Sequence, residues 1–387
     1  MPTTSSRSAA TRTRRRSARR RADGVIRYAV VGLGHIAQVA VLPAFKHARR
    51  NSRLVAVVSD DPAKRRAAAK RYGLTRTFSY EEYDECLAEV DAVYIALPNS
   101  MHEEYTVRAA RAGVHVLCEK PLADTAKACE RMVRACHTHR VQLMVAYRLH
   151  FEALNTEVMD LIRQGRVGEP RYFNSSFSQM VRPGDIRTDK ELGGGTLFDI
   201  GTYCINAARY LFRDEPTEVM ALSANTGRPR LKEIDATTGA LLRFGDDRVA
   251  AFVTSFDAQH VSAYRMVGTK GQVAVEPAYG YSGELAYELT AEGRTTRKRI
   301  GKRDQFAPEL LYFSDCILHG TQPEPSGEDG TQDVRIIEAL YRSARTRRAV
   351  RLPKHREKKR PSGRQRITRP GVKKPRVVHA KGPRQGS

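Results

Sequence analysis

Two stretches of the 387-residue chain carry side chains suited to moving a proton together with a hydride. The first is Gly113-Val114-His115-Val116-Leu117-Cys118-Glu119-Lys120-Pro121, an apolar strand that runs straight into an acid, a base and a proline. In an open parallel sheet ligands bind at the carboxyl ends of the strands, because the loops there vary while the sheet holds them still. The second is Leu192-Gly193-Gly194-Gly195-Thr196-Leu197-Phe198-Asp199-Ile200-Gly201-Thr202-Tyr203. Its glycines let backbone come close to a ligand or another domain. Asp199 and Tyr203 are four apart, so they share a face of the helix that starts here. Oxidising a hydroxyl needs a base for the O–H proton while the hydride leaves, and a phenol beside an ammonium is such a base. Plainer readings stay open: Glu119-Lys120 as a solvated strand end, Asp199 as a helix cap, and Tyr203 as a half-buried core aromatic.

These residues need a scaffold, and the chain before them supplies one. Val25–Val31 reads as a strand that runs into Gly32-Leu33-Gly34-His35-Ile36-Ala37, the G-x-G-x-x-A form of the dinucleotide fingerprint. Gly32 permits the tight turn, Gly34 lets a pyrophosphate approach the backbone, and Ala37 lets the helix pack on the strand. A second strand, Leu54–Val58, ends at Ser59-Asp60-Asp61-Pro62, where an adenosine ribose would lie. Its first polar residue is Ser59, with Lys64 and Arg65 close behind, which favours the 2′-phosphate of NADP over NAD. Asp60 and Asp61 would repel that phosphate if they pointed inward. Val90–Leu97 is a further strand, ending in Pro98-Asn99-Ser100-Met101-His102, and a helix over 103–112 leads to the strand before Glu119. A helix over 124–139 carries Ala126, Cys129, Val133 and Cys136 on one face. Val141–Tyr147 then delivers Arg148 and His150 to the same side. Strands alternating with helices predict a doubly wound parallel sheet over residues 25–148, its strand ends converging on one crevice.

From residue 149 the pattern changes to short strands in succession, at 171–177, 218–222, 236–244, 249–256, 264–267 and 272–275. Hairpin-linked strands predict a second domain, over 149–353, of α+β class with a mainly antiparallel sheet. Helices cover one face, and an apolar second face needs a partner subunit, so a homodimer or homotetramer is expected. Residues 1–24 and 354–387 hold +19 of the formal net charge of +24. Both are poor in apolar residues, which predicts disordered basic tails able to attract polyanions non-specifically. Neither tail holds an aromatic residue on which a nucleic-acid base could stack. Arg14-Arg15-Arg16 is followed by no apolar stretch of an export signal, no apolar run has the length of a membrane span, and the six cysteines are scattered. The expected location is the cytoplasm, with no metal centre.

Taken together and in order, the fingerprint, the Leu97–His102 loop, Cys118-Glu119-Lys120-Pro121, and the glycine run with Asp199 and Tyr203 resemble the glucose–fructose oxidoreductase and inositol dehydrogenase (Gfo/Idh/MocA) family. Ala146–Phe151, Asp333–Tyr341, and Tyr203 where many relatives have His, are most similar to the glucose–fructose oxidoreductase branch. The resemblance implies an NAD(P)-dependent oxidoreductase acting on an aldose or related polyol. It agrees with the chemistry of the residues, which makes Tyr203 the acid/base, Lys120 the charge that tunes it and binds the hydroxyl, and Asp199 the positioning carboxylate. It also implies cofactor contacts from the fingerprint, Ser59, Lys64, Pro98, Asn99, His102, Glu119 and Arg148. Tyr80 would touch the adenine side or serve packing, and His102 has the alternative of a helix-terminal residue. Arg187 and His150 are expected in the substrate pocket. The chain has no Trp and reads Ile186-Arg187 where the branch has a Trp-Arg pair. It also lacks the branch's proline-rich N-terminal arm, so permanent cofactor retention is not implied. Two other classes are carried: a ligand-sensing regulator that has lost turnover, and a nucleic-acid protein on an enzyme scaffold, which predicts salt-sensitive binding through the tails.

Overall fold

Apolar runs of four to seven residues, bounded by Gly, Pro and Asp, make strands buried on both faces, and such strands are joined by helices rather than hairpins. The computed structural model describes residues 24–355, 359–380 and 382. In it β1 (Ile26–Val31), β2 (Ser52–Val58), β3 (Arg76–Phe78), β4 (Ala92–Ile95), β5 (His115–Cys118) and β6 (Leu143–Val145) form a parallel sheet in the order β3-β2-β1-β4-β5-β6. The order reverses between β1 and β4, and a crevice opens at that switch point. The helix Pro62–Tyr72 starts on the Asp61 carboxylate, which accepts from the Ala63 and Lys64 N–H groups, and stops at Gly73 in the left-handed region. The helix Ala126–Thr138 buries Ala126, Cys129 and Cys136 with Met132.

The second sheet has nine strands: β7 (Pro170–Ser178), β8 (Glu218–Ala224), β9 (Thr237–Arg243), β10 (Val249–Ser255), β11 (Val261–Gly268), β12 (Gly271–Val275), β13 (Leu285–Ala291), β14 (Arg294–Ile300) and β15 (Val350–Arg351). Their order is β14-β13-β12-β11-β7-β10-β9-β8-β15, and the pairing is antiparallel except between β7 and β10. Helices Ala153–Arg163, Thr202–Phe212 and Gly327–Thr346 cover one face and close the larger core around Phe173, Leu211, Phe252 and Ile337. The opposite face presents Tyr172, Met220, Leu222, Leu241, Val249 and Val253 outward. All six cysteines are free and buried, and burial pushes the thiols of Cys86, Cys136 and Cys204 up to about 12.

Two expectations about the chain's division change. Residues 149–353 are not a self-contained unit, because the helix Ala307–His319 packs on the first sheet. Ser314 Oγ lies 2.8 Å from Tyr28 Oη, Asn51 Nδ2 donates to the Leu311 carbonyl at 2.8 Å, and Leu310, Leu311 and Phe313 join Tyr28 and Val30 in one core. A parallel sheet must be covered on both faces, and this late helix covers part of one.

The basic segment 354–387 is not disordered over residues 359–380. Gln365 is buried and donates to the Glu324 carbonyl at 3.0 Å, Arg366 Nε donates to Thr156 Oγ1 at 2.8 Å, and Arg360 pairs with Glu215 at 2.5 Å. Ile367 and Val377 pack on the first core, and Arg303 bridges to Pro370 as a strand pair. The segment has few apolar side chains, but its cations meet carboxylates already fixed on the body, which a composition argument does not see. Residues 1–23 lie outside the described residues, and with them nearly all of the predicted N-terminal tail.

Candidate active site

A cleft of about 1010 Å³ runs along the carboxyl ends of β1, β2, β4 and β5 and is walled on its far side by the second sheet. Its floor is the fingerprint. Gly32 has φ of +91°, and a Cβ there would stand 2.5 Å from the Ala96 carbonyl oxygen, so close approach to the end of β4 demands glycine. At Gly34 a Cβ would meet nothing within 4 Å, which leaves open space above the backbone where a pyrophosphate fits. Leu33, His35 and Ile36 line the cleft, while Ala37 is buried at the start of a π-turn, Ala37–Val41.

Ser59 and Lys64 line the cleft at the tip of β2. The two carboxylates beside them are engaged elsewhere. Asp61 accepts the helix N–H groups and lies 2.8 Å from His379 Nδ1, and these donors hold it below the usual carboxylate range, the His379 bond most of all. Asp60 accepts the Tyr80 N–H at 2.8 Å. Neither carboxylate is among the residues that line the cleft. The Arg65 guanidinium is tied to the Ser59 carbonyl. Tyr80 lines the cleft, and its ring packs edge-on to Tyr105 at 5.6 Å.

Pro98 and Asn99 line the cleft, and Asn99 Nδ2 donates to the Gly193 carbonyl at 2.8 Å, joining the β4 loop to the glycine run. A Cβ on Gly193 would stand 2.7 Å from Asn99 Cβ, so this joint requires glycine. His102 does not reach the cleft. Its ring is fully buried between the Leu97 carbonyl at 3.0 Å and the Pro121 carbonyl at 3.1 Å, tying the loops after β4 and β5 together.

Lys120, Asp199 and Tyr203 meet on one wall. Lys120 Nζ donates to the Asp199 carbonyl at 2.7 Å and to Asp199 Oδ1 at 3.1 Å, and it sits 4.6 Å from the centre of the Tyr203 ring. Its side chain is 11% exposed, which rules out a solvated strand end. Asp199 is not a helix cap. It lies within a π-turn, Leu197–Gly201, ahead of the helix bearing Tyr203, and its second oxygen accepts from Arg187 Nε at 2.8 Å and Gln179 Nε2 at 3.1 Å. Burial alone would raise its pKa, but Arg187 and Lys120 hold it at about 2. Lys120 is pulled down by burial yet raised on balance by Tyr203, Asp199 and Glu119.

Glu119 accepts from Tyr94 Oη at 2.8 Å, and its burial, more than offsetting the pull of Lys120, raises it. Arg148 donates to the Tyr279 carbonyl at 2.6 Å, and its guanidinium stands 5.0 Å from the Tyr203 ring centre.

Arg187 lines the cleft as expected. His150 does not; it is buried between Glu324 at 2.9 Å and Asn206 at 2.7 Å. Sequence reasoning missed Gln179, His260, Tyr279 and Tyr281, which also line the cleft. Ala278-Tyr279-Gly280-Tyr281, two aromatics in a glycine-bearing loop, is a signal that could have flagged two of them. Gln179, one residue past β7, gives none.

The arrangement offers a dinucleotide cradle on one wall and an ammonium, a phenol and an ionised carboxylate on the other. Residues 26–147 match the family model of the GFO/IDH/MocA oxidoreductases with an NAD-binding Rossmann fold, and residues 156–274 match the GFO/IDH/MocA C-terminal domain. The chain is 32% identical over 339 residues to D-xylose 1-dehydrogenase (NADP+) of Haloarcula marismortui, spanning 85% of this chain and 94% of that one. It belongs to the Gfo/Idh/MocA oxidoreductase family. Among solved Gfo/Idh/MocA structures, the aldose-aldose oxidoreductase of Caulobacter crescentus in complex with glycerol is 38% identical with a TM-score of 0.81, over 85% of this chain and all of that one. A 3-ketoreductase of Actinomadura kijaniata in complex with NADP and TDP-benzene is 28% identical with a TM-score of 0.76, over 82% of this chain and 98% of that one. As a Gfo/Idh/MocA protein the chain has a Rossmann sheet and a second, mainly antiparallel sheet. No described helix is long and apolar enough to cross a membrane.

Proposed function

We propose that this protein is an NADP-dependent aldose oxidoreductase. The observation that carries the reading is the meeting of Lys120, Asp199 and Tyr203 across one cleft from the Gly32–Ala37 cradle. The names of its relatives, a xylose dehydrogenase and an aldose-aldose oxidoreductase, support the substrate class. Ser59 and Lys64 at the tip of β2, with Asp60 and Asp61 held by other donors, support NADP over NAD. The fingerprint, Pro98, Asn99, Glu119 and Arg148 would hold the dinucleotide, which when bound supplies the hydride acceptor. Tyr203 takes the proton of the sugar hydroxyl. Lys120 places a positive charge against the ring as negative charge develops on the phenol oxygen. Asp199, fixed by Arg187 and Gln179, aligns the Lys120 ammonium and keeps it charged. Reaction at the anomeric carbon gives a lactone, and returning the hydride to a second sugar gives an exchange between two aldoses.

The apolar face of the second sheet supports a homodimer or homotetramer, and six buried, unpaired thiols fit a cytoplasmic enzyme. The test is reduced-nicotinamide absorbance with NADP or NAD offered against glucose, xylose, galactose and myo-inositol. Turnover with an aldose and NADP is expected. Tyr203→Phe should lower kcat by on the order of 10²–10⁴ while leaving NADPH binding unchanged. Tight cofactor binding without turnover on any of these substrates, in both proteins, would sink the assignment.

A further inference from the structure

The C-terminal segment does not end on the second sheet but crosses onto the fingerprint. Arg71 donates to the Arg376 carbonyl at 2.9 Å, which holds the segment to the helix after β2. The Val378 N–H donates to Gln38 Oε1 at 2.8 Å, and Gln38 Nε2 donates back to the Val378 carbonyl at 2.9 Å. The same Gln38 nitrogen also donates to the Leu33 carbonyl at 2.9 Å, so one amide links the segment to the glycine loop itself. His379 Nδ1 lies 2.8 Å from Asp61 Oδ2, and a Cβ on Gly382 would stand 2.5 Å from the His35 ring. His379 and Ala380 thereby line the cleft beside Gly34, His35 and Lys64. Lys374 stands near enough to His35 to join burial, the larger cause, in pushing that ring down to about 4.

We propose that residues 376–380 with Gly382 are an intrachain wall of the dinucleotide site that closes over its phosphate-bearing end and retains NADP between turnovers. The inference rests on the NADP reading above. Three features carry it. The segment touches the cradle, the helix cap beside the 2′-phosphate position and the cleft lining at once. Its His379 engages Asp61, the carboxylate that caps the helix bearing Lys64. Its upstream anchors, Gln365, Arg366 and Arg369, fix it to the body independently of any ligand. Slow cofactor release is what two half-reactions on one bound dinucleotide require.

The experiment compares the full chain with a variant lacking residues 373–387, which keeps those three anchors. NADPH bound to each is displaced with excess NADP and its release followed by fluorescence. Release about tenfold faster from the shortened chain is expected. Val378→Pro, which removes the N–H given to Gln38, should raise the rate several-fold in a full-length protein and serves if the shortened chain does not fold. In the full chain NADP should slow tryptic cleavage after Lys373 and Arg376. Equal release rates from the full-length and Val378→Pro proteins would overturn the clasp. So would faster association and tighter binding in the shortened chain, which would make the segment an obstruction. Failure of the full chain to bind NADPH at all would overturn the NADP reading itself.

Discussion

Asp199 is the residue that fixes the charge of the site, because it stands between the Lys120 and Arg187 cations with both of its oxygens engaged. Its pKa of about 2 lies below the ordinary 3.8, so its ionised form stabilises the folded protein. That contribution is full above the unfolded value and is lost as pH falls toward about 2; the shift corresponds to roughly 2 kcal/mol. The stability gap between the wild type and Asp199→Asn, measured by urea unfolding, should therefore narrow as pH is lowered from about 5 to about 2. A gap constant over that range would contradict the pairing with Lys120 and Arg187. The meeting of Lys120, Asp199 and Tyr203, the three groups proposed to act, was legible because their types and positions sit at a strand end and after a glycine run. Arg187 and Gln179 reach Asp199 only through the tertiary fold, and no local spacing announces them. The histidines mislead for a related reason: His102 and His150 follow strand ends, but the loop backbone turns both rings inward to carbonyl and carboxylate partners.

At the scale of elements, the helix Thr202–Phe212 carries Tyr203 at one end and Arg209 near the other. Arg209 is 1% exposed and reaches Glu215 at 2.7 Å, Asp329 at 2.8 Å and Asp333 at 2.6 Å. Asp333 also accepts from Tyr147 Oη at 2.5 Å, so the network joins this helix to Gly327–Thr346 and to the chain just past β6. Burial raises Asp333 to about 6 even with Arg209 beside it. Arg209→Met strands these carboxylates and should cost about 3–5 kcal/mol in denaturant unfolding. A loss below about 1 kcal/mol would mean that the network does not hold the two helices together. Most strands were readable from their apolar runs, whereas the β13–β14 hairpin was not. Arg294-Thr295-Thr296-Arg297-Lys298-Arg299-Ile300 has almost no apolar face, and its strand character comes from pairing with β13 alone. The helix Ala153–Arg163 and the short β3 were missed as well; three residues are too few to show a period.

At the scale of the whole molecule, the outer face of the nine-stranded sheet is left uncovered by the described residues. Leu222 is 65% exposed and Leu241 50%, both on the side of the nine-stranded sheet away from its helices. Placing Glu at both positions should convert the oligomer to a monomer by light scattering while leaving NADPH binding intact. A wild type that is already monomeric would end the proposal that this face is an interface. The division into two sheets was legible from the change of pattern after residue 149. The crossing of the late helix Ala307–His319 and of the C-terminal segment onto the first sheet was not, since composition says nothing about where a distant segment docks. One further property follows from the buried cysteines. Four of them, Cys86, Cys118, Cys129 and Cys136, lie in the core of the first sheet, and Cys204 lies in that of the second. An alkylating reagent can meet such thiols only when the surrounding structure opens, so their labelling rates amount to a local clock for the breathing of each core, already written into the chain.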